Sequence, residues 1–465
     1  MSQSKLIQAL STKDSFTANG AVTHSTSLNA VLDLFFIAGA SRTMEESSIQ
    51  NMLTKAYTEN KLLTLKVIFW AGDIRGGQGE RRFLRIALKW LETYHNSVLE
   101  QLLHFVPEFN RWDSLFELSS DKSLQLIHKA ITDKNQLCAK WMPRKKQYDN
   151  FASKFRKRFG LTPKQYRQLI VENTNVVETQ MCKKEWSEIE YGKIPSVAFS
   201  KYRKAWARND GERFKQFIDD VNAGKQKIHA SVIFPHDIYK SYKAGGDEAS
   251  INAQWNCLPN YLENSEERIL PVCDVSGSMS GTPMDISVSL GLYFSERNKS
   301  VFKDAFITFS EKPKLQHLKG NVTQRIRQLE SADWGMSTNL VAVFMLILNK
   351  AVENKLSNDD LPTMIVIISD MEFNMASKHE TNFEFIEKAF AKYEYKRPSL
   401  IFWNVNGREN NVPVNKNDKN VALVSGCSPV TIKSILSARE ITPVEVMMTT
   451  LNDKRYSCLE LEVLG

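Results

Sequence analysis

Apolar positions recur at helical spacing through the first half of the 465-residue chain. Leu28, Val31, Leu32, Phe35 and Phe36 form one such stripe, and Phe83, Ile86, Ala87, Trp90 and Leu91 form another. No period-two alternation stands out before about residue 245. Residues 1–245 are therefore expected to be an all-α array of helix pairs, a HEAT-like solenoid inferred from length because no repeat period is evident.

From Arg268 the rhythm changes. β-rich runs recur at Ile269 to Cys273, Ala305 to Phe309, Met364 to Ser369, Leu400 to Val405 and Val421 to Val424, with amphipathic stretches between several of them, such as Asn339 to Leu356 and Phe383 to Tyr393. Strands apolar on both faces, alternating with helices, imply a parallel sheet covered on both sides, and right-handed crossovers then make it doubly wound and Rossmann-like. Met284, Ile286, Val288, Leu290 and Leu292 alternate as a strand would. Ser287, Gly291 and Ser295, however, fall four residues apart, a small-residue stripe that lets a helix lie close to a sheet, so a helix is expected there. Pro271 is an awkward residue for a central strand, which needs its N–H. Residues 246–267, rich in Asn, Ser and Glu, read as a linker, and 268–465 as the second domain.

Composition narrows the class. The chain is 42% hydrophobic and 25% charged, as soluble globular proteins are, and no run reaches the roughly 18 apolar residues of a membrane span. The polar start, MSQSKLIQALSTKDSF, has no secretory pattern, which makes a cytoplasmic protein the expectation. Six scattered cysteines show no metal-binding spacing and are expected reduced. Neither His pairs nor a nucleophile elbow mark an enzyme, so catalysis is not expected.

Candidate chemistry begins where the first strand of the second half ends. Asp274, Ser276 and Ser278 spell D-x-S-x-S, bringing one carboxylate and two hydroxyls into a single loop at a sheet edge. Hard oxygen donors of this kind suit Mg²⁺. Further ligands should come from neighbouring strand ends: Thr338, in the turn Gly335 to Asn339, and Asp370, which ends an apolar strand. A serine turn that caps the following helix is the alternative. Glu372 lies two residues beyond Asp370, where a stray carboxylate is usually on the surface.

These three loops, in this order, resemble the metal-ion-dependent adhesion site (MIDAS) of von Willebrand factor A domains. The resemblance covers roughly residues 266 to 465, and the run Val421 to Ser428 is similar to the last strand and turn of such domains. It implies that Ser276, Ser278 and Thr338 ligate the ion, that Asp274 and Asp370 bind it or its waters, and that an acidic protein ligand completes the coordination.

A helical array followed by such a domain resembles the TROVE family of Ro-like RNA-binding proteins. Asp73-Ile74-Arg75-Gly76-Gly77-Gln78-Gly79-Glu80-Arg81-Arg82, Pro107 to Asp113, Lys140 to Arg144 and Ile194 to Ser196 are closer to a sister family that pairs helical and von Willebrand factor A domains in plants, protists, viruses and phages. The resemblance implies a ribonucleoprotein that binds small structured or misfolded RNA.

The charges point the same way. Net charge is +8, and from Lys140 to Arg167 basic residues dominate, with Asp149 the acid counted against them. Lys140, Arg144, Lys145, Lys146, Lys154, Arg156, Lys157 and Arg158 are candidate phosphate contacts, with aromatic residues interleaved. Phe151, Phe155 and Phe159 recur every four residues, as a core-facing stripe does. The glycine-rich segment at 73–82 lacks a Walker ending and joins two helical stretches. It reads as a tight turn with a positive φ at one of its glycines, from which Arg75, Arg81 and Arg82 can reach RNA. The expectation is thus a monomeric, Mg²⁺-holding RNA-binding protein with no membrane attachment. A metal-dependent protein-interaction scaffold without RNA is the rival.

Overall fold

The computed structural model describes residues 13–144, 149–228, 232–309, 312–330, 338–377 and 380–460. It has helices in its first part and a mixed α/β sheet in its second. By contact the chain divides into two units, each discontinuous in sequence. One holds the described residues of Met1–Val67 and Ile233–Asp453, the other those of Ile68–Val232 and Lys454–Gly465. This division differs from the expected 1–245, 246–267 and 268–465, for two reasons visible in the sheet unit.

The first is an N-terminal segment that belongs with the sheet. β1 (Ser15–Phe16) and β2 (Val22–Thr23) form an antiparallel hairpin, too short for its alternation to register in the sequence. His24 and Val412 then exchange backbone hydrogen bonds of 3.0 and 2.9 Å. The helix Ala30–Ala38, capped by the Asn29 side chain, buries Val31, Leu32, Leu34, Phe35, Phe36, Ile37 and Ala38, so it is apolar nearly all round and not a one-sided stripe. Leu28 lies before the helix at φ 67° and is exposed. Gly39 marks a close approach: its N–H donates to Ser425 Oγ at 3.1 Å, and an added Cβ would stand 2.7 Å from the Ser425 carbonyl oxygen.

The second is the supposed linker. Residues 248–256 form a helix capped by Asp247 that buries Ile251, Ala253 and Trp255. Trp255 Nε1 donates to Glu296 at 2.6 Å, and the Tyr261 amide donates to the Tyr293 hydroxyl at 3.0 Å. A few large apolar anchors outweigh the polar composition.

The six-stranded sheet comprises β3 (Ile269–Cys273), β4 (Ala305–Thr308), β5 (Leu315–His317), β6 (Met364–Ser369), β7 (Ser399–Asn404) and β8 (Val421–Ser425), in the order β5-β4-β3-β6-β7-β8. Every neighbouring pair is parallel except β4 and β5. Growth of the sheet reverses at β3, and such a switch point opens a crevice at the carboxyl edge. Pro271 is accommodated because β4 pairs only Val272 and Cys273 of β3. The helix Thr282–Arg297 follows the first loop, as the small-residue stripe predicts. Ser287 donates to the Ile368 carbonyl at 3.1 Å, and Gly291 lies so close to Cys273 Sγ that no Cβ fits.

The regular elements of the second unit, among its described residues, are all helices. The helix Arg81–Tyr94 buries Phe83, Ile86, Ala87, Trp90 and Leu91, and the paired helices Ser196–Asn209 and Gly211–Asn222 close around Tyr191, Phe199, Trp206 and Phe214. No described helix in either unit is long and apolar enough to cross a membrane. All six cysteines are free thiols.

Candidate metal centre and basic surface

The register of β3 on β6 sets Cys273 beside Ile368, so the loops that follow the two strands emerge together. Asp274 is fully buried. Its Oδ1 accepts from the Ser276 amide at 2.9 Å and its Oδ2 from Ser369 Oγ at 2.6 Å. Burial pushes the Asp274 carboxyl up to about 6, against the pull of the two serines, and the neighbouring Asp370 adds to the rise. Ser276 Oγ and Ser278 Oγ stand 3.1 Å apart, with Ser278 exposed. Neither caps the long helix that follows, whose N-cap is Gly281 with no side-chain bond.

Thr338 joins this edge through its backbone: its carbonyl accepts from the Asn374 amide at 3.0 Å, which ties it to the loop that begins at Asp370. Its turn partners 335–337 lie outside the described residues. Asp370 is buried, and its Oδ2 accepts from Arg408 Nη2 at 3.1 Å. Glu372 is not on the surface. It is 5% exposed, pairs with Arg408 Nε at 3.4 Å, accepts from Asn411 Nδ2 at 3.2 Å and from the Ala18 amide, and donates its own amide to Asp370 Oδ1 at 3.3 Å. Sequence reasoning missed Ser369, Arg408 and Asn411. A hydroxyl one residue before a strand-end carboxylate was the available signal for Ser369. Arg408 and Asn411 lie on a loop that only the fold brings to this place.

The donor set can be tested against Mg²⁺. Oxygen ligands at about 2.1 Å in an octahedron put adjacent vertices roughly 3 Å apart, and the two serine hydroxyls are 3.1 Å apart. Asp370 also opposes ionisation of the buried Asp274, a cost that a cation relieves. Ser276 and Ser278 thus stand at the separation of adjacent ligands of such an ion, and Asp274, Thr338 and Asp370 are the other oxygen-bearing side chains of the neighbouring loops. Among the described residues no group of three or more His, Cys, Asp or Glu is placed to hold a metal, so hydroxyls would have to supply much of this shell.

In the helical unit the basic candidates fall into classes. Lys140 pairs with Glu178 at 2.8 Å and Arg158 pairs with Asp121, acids that lie outside the basic stretch. Arg144 donates to Thr174 at 2.9 Å and Lys154 to Ser119 at 3.4 Å. Arg144, Lys154, Lys157 and Arg158 are exposed and Arg156 is half-buried, whereas Lys145 and Lys146 lie outside the described residues. Phe151 and Phe155 are buried in the core, where Phe116 stacks on Phe151 at 4.5 Å. The aromatic stripe is therefore structural, and Trp141 remains half-exposed.

The segment at 73–82 is a turn built around a buried aspartate. Asp73 accepts the Arg75 amide at 3.0 Å, the Tyr456 hydroxyl at 3.1 Å, and Arg455 through Nη2 at 2.7 Å and through Nε. Gly79 takes φ 62°, and Gly77 packs against the Trp70 carbonyl too closely for any Cβ. Arg75, Arg81 and Arg82 are exposed, and Arg75 Nη1 donates to the Glu108 carbonyl at 3.3 Å.

Comparison with known proteins now bears on the chain. An uncharacterized protein of Acanthamoeba polyphaga mimivirus, L728, is 29% identical over 94% of this chain and 87% of its own length. Residues 268–458 match a domain of unknown function, DUF7788, which begins where the sequence places the start of the second domain. Residues 17–108 and 125–267 match a second, DUF2828. That match takes in just over half of the chain, which therefore belongs to the DUF2828 family.

Proposed function

We propose that this chain binds RNA through the basic face of its helical unit and holds Mg²⁺ at the edge of its sheet, as its likeness to TROVE proteins with a von Willebrand factor A domain implies. The observation that carries the reading is the sorting of the segment around the helix Asp149–Arg158: its phenylalanines turn inward while Lys154, Lys157, Arg158 and the nearby Arg144 face solvent. Such a face binds backbone phosphate through counterion release, with little sequence preference, and suits small structured or misfolded RNA. At the sheet edge Asp274 and Asp370 bring negative charge, and Ser276, Ser278 and Thr338 bring hydroxyls. The bound ion would offset that charge and offer a coordination position to a carboxylate.

The test is fluorescence anisotropy with a structured RNA, for the wild type and for Lys154→Glu/Lys157→Glu, over a range of salt. Strong weakening with a shallower salt slope supports the reading; an unchanged affinity and slope rejects it. The 3.1 Å serine spacing favours a second reading, a metal-dependent scaffold for acidic proteins. EDTA-sensitive capture of an acidic peptide without RNA binding would select it.

A further inference from the structure

The helical unit holds a group of arginines that the basic stretch does not include. Arg111 grips Asp113 with two donors, Nε at 2.8 Å and Nη2, and its guanidinium lies 3.7 Å from the centre of the Trp141 ring. Arg85 donates to the same carboxylate from Nη2 at 3.0 Å. One buried aspartate thus holds two guanidinium groups side by side. Arg81 lies one helical turn before Arg85, on the same face of the helix Arg81–Tyr94.

This arrangement leaves donors over. Among the described residues Arg81 makes no hydrogen bond and no ion pair, Arg85 Nε is buried without an acceptor, and Arg111 Nη1 has none. The other acid beside Arg85, Glu117, stands 3.7 Å from its Nη1, beyond a hydrogen bond. Partial desolvation and then the neighbouring Arg111 hold the Arg81 guanidinium below its usual range, against the pull of Asp113. Like charges crowded with empty donors are relieved by an oxyanion, and planar guanidinium forks match phosphate in particular.

We propose that Arg81, Arg85 and Arg111 form a phosphate site, with Trp141 backing Arg111 as a flat, half-exposed surface on which an adjoining base can stack. That the phosphate belongs to RNA rests on the proposed function; the site itself does not. Asp113 acts as the positioning residue, holding two forks in register so that the incoming group meets prearranged donors.

The experiment uses the full chain in two arms: anisotropy with a labelled 20-nucleotide single-stranded RNA over a salt series, and calorimetric titration with orthophosphate. Arg81→Gln removes a side chain with no protein partner, so folding is spared, and Trp141→Leu tests the stacking surface. With Arg81→Gln, RNA affinity should fall about tenfold, the salt slope should drop by about 0.7, and the heat of orthophosphate binding should vanish. Wild-type RNA binding by Arg81→Gln, alongside loss in Lys154→Glu/Lys157→Glu, overturns this site and leaves the proposed function standing. Orthophosphate binding that needs Arg81, in a protein that binds no RNA, keeps the site for a small phosphate ligand and overturns the proposed function. Absence of both kinds of binding overturns both.

Discussion

Replacing Asp73 by Asn tests whether the glycine-rich turn is a structural clasp. The side chain is fully buried and meets four donors: both forks of Arg455, the Tyr456 hydroxyl and the Arg75 amide. An amide keeps one oxygen for these donors and turns its nitrogen toward a guanidinium. Breaking a buried pair costs about 3–5 kcal/mol when the surviving charge stays dry. Arg455 is a third exposed and can recover water, so the expected loss is nearer 2–3 kcal/mol. Native-state hydrogen exchange reads it directly, because the Gly79 amide donates to the Asp73 carbonyl at 2.9 Å and reports opening of the turn. A double-mutant cycle with Arg455→Met should return a coupling of about 2 kcal/mol. A coupling below about 0.5 kcal/mol would refute the clasp, since independent sites add within that margin.

Three further outcomes follow from the sheet unit. Gly291→Ala should destabilise it by about 1–3 kcal/mol, read from chemical denaturation, and Cys273→Ala should recover part of the loss by making room for the new methyl. The His236 imidazole, buried and held down to about 4 chiefly by desolvation, stays neutral in the fold while the unfolded chain takes up its proton near 6.5. The unfolded state therefore binds more protons between these values, and stability falls by up to about 3 kcal/mol as pH drops from 6.5 to 4. Subtracting the pH curve of His236→Gln isolates this loss from Asp274, whose raised value acts in the opposite sense over the same window. Mg²⁺ at a hundredfold excess over its Kd should stabilise the wild type by about 2.7 kcal/mol in thermal unfolding, and Asp274→Asn should abolish that shift.

Strands were legible because buried parallel strands are continuous apolar runs. β3, β6 and β8 fall within a residue of the runs that predict them, and the helix Leu340–Glu353 lies within the expected stretch Asn339 to Leu356. The loop carboxylates Asp274 and Asp370 followed from strand ends. Residues 13–44 were not legible as part of the sheet unit. A helix buried all round, such as Ala30–Ala38, reads the same whichever core it enters, and two-residue strands carry no period. The acids that neutralise Lys140 and Arg158 come from Glu178 and Asp121, so a charge count taken along the segment overstated its excess. The joining of Arg81, Arg85, Arg111 and Trp141 depends on long-range packing that no local pattern encodes.

The hairpin and first helix also set the order in which the protein can be completed. Thr23 and Val412 are bonded across 389 residues of sequence, and Phe35 and Ser425 across 390. At a synthesis rate of about 5–20 residues per second, the apolar segment Val31–Ala38, covered in part by the nearby helix Glu46–Glu59, waits roughly 20 to 80 s for the strand that completes its burial. Throughout that interval its sheet-facing apolar side lacks its partner, and long-range pairing of this kind folds slowly once it begins. A version rearranged so that residues 13–67 follow the sheet would shorten the wait and fold with less loss to aggregation.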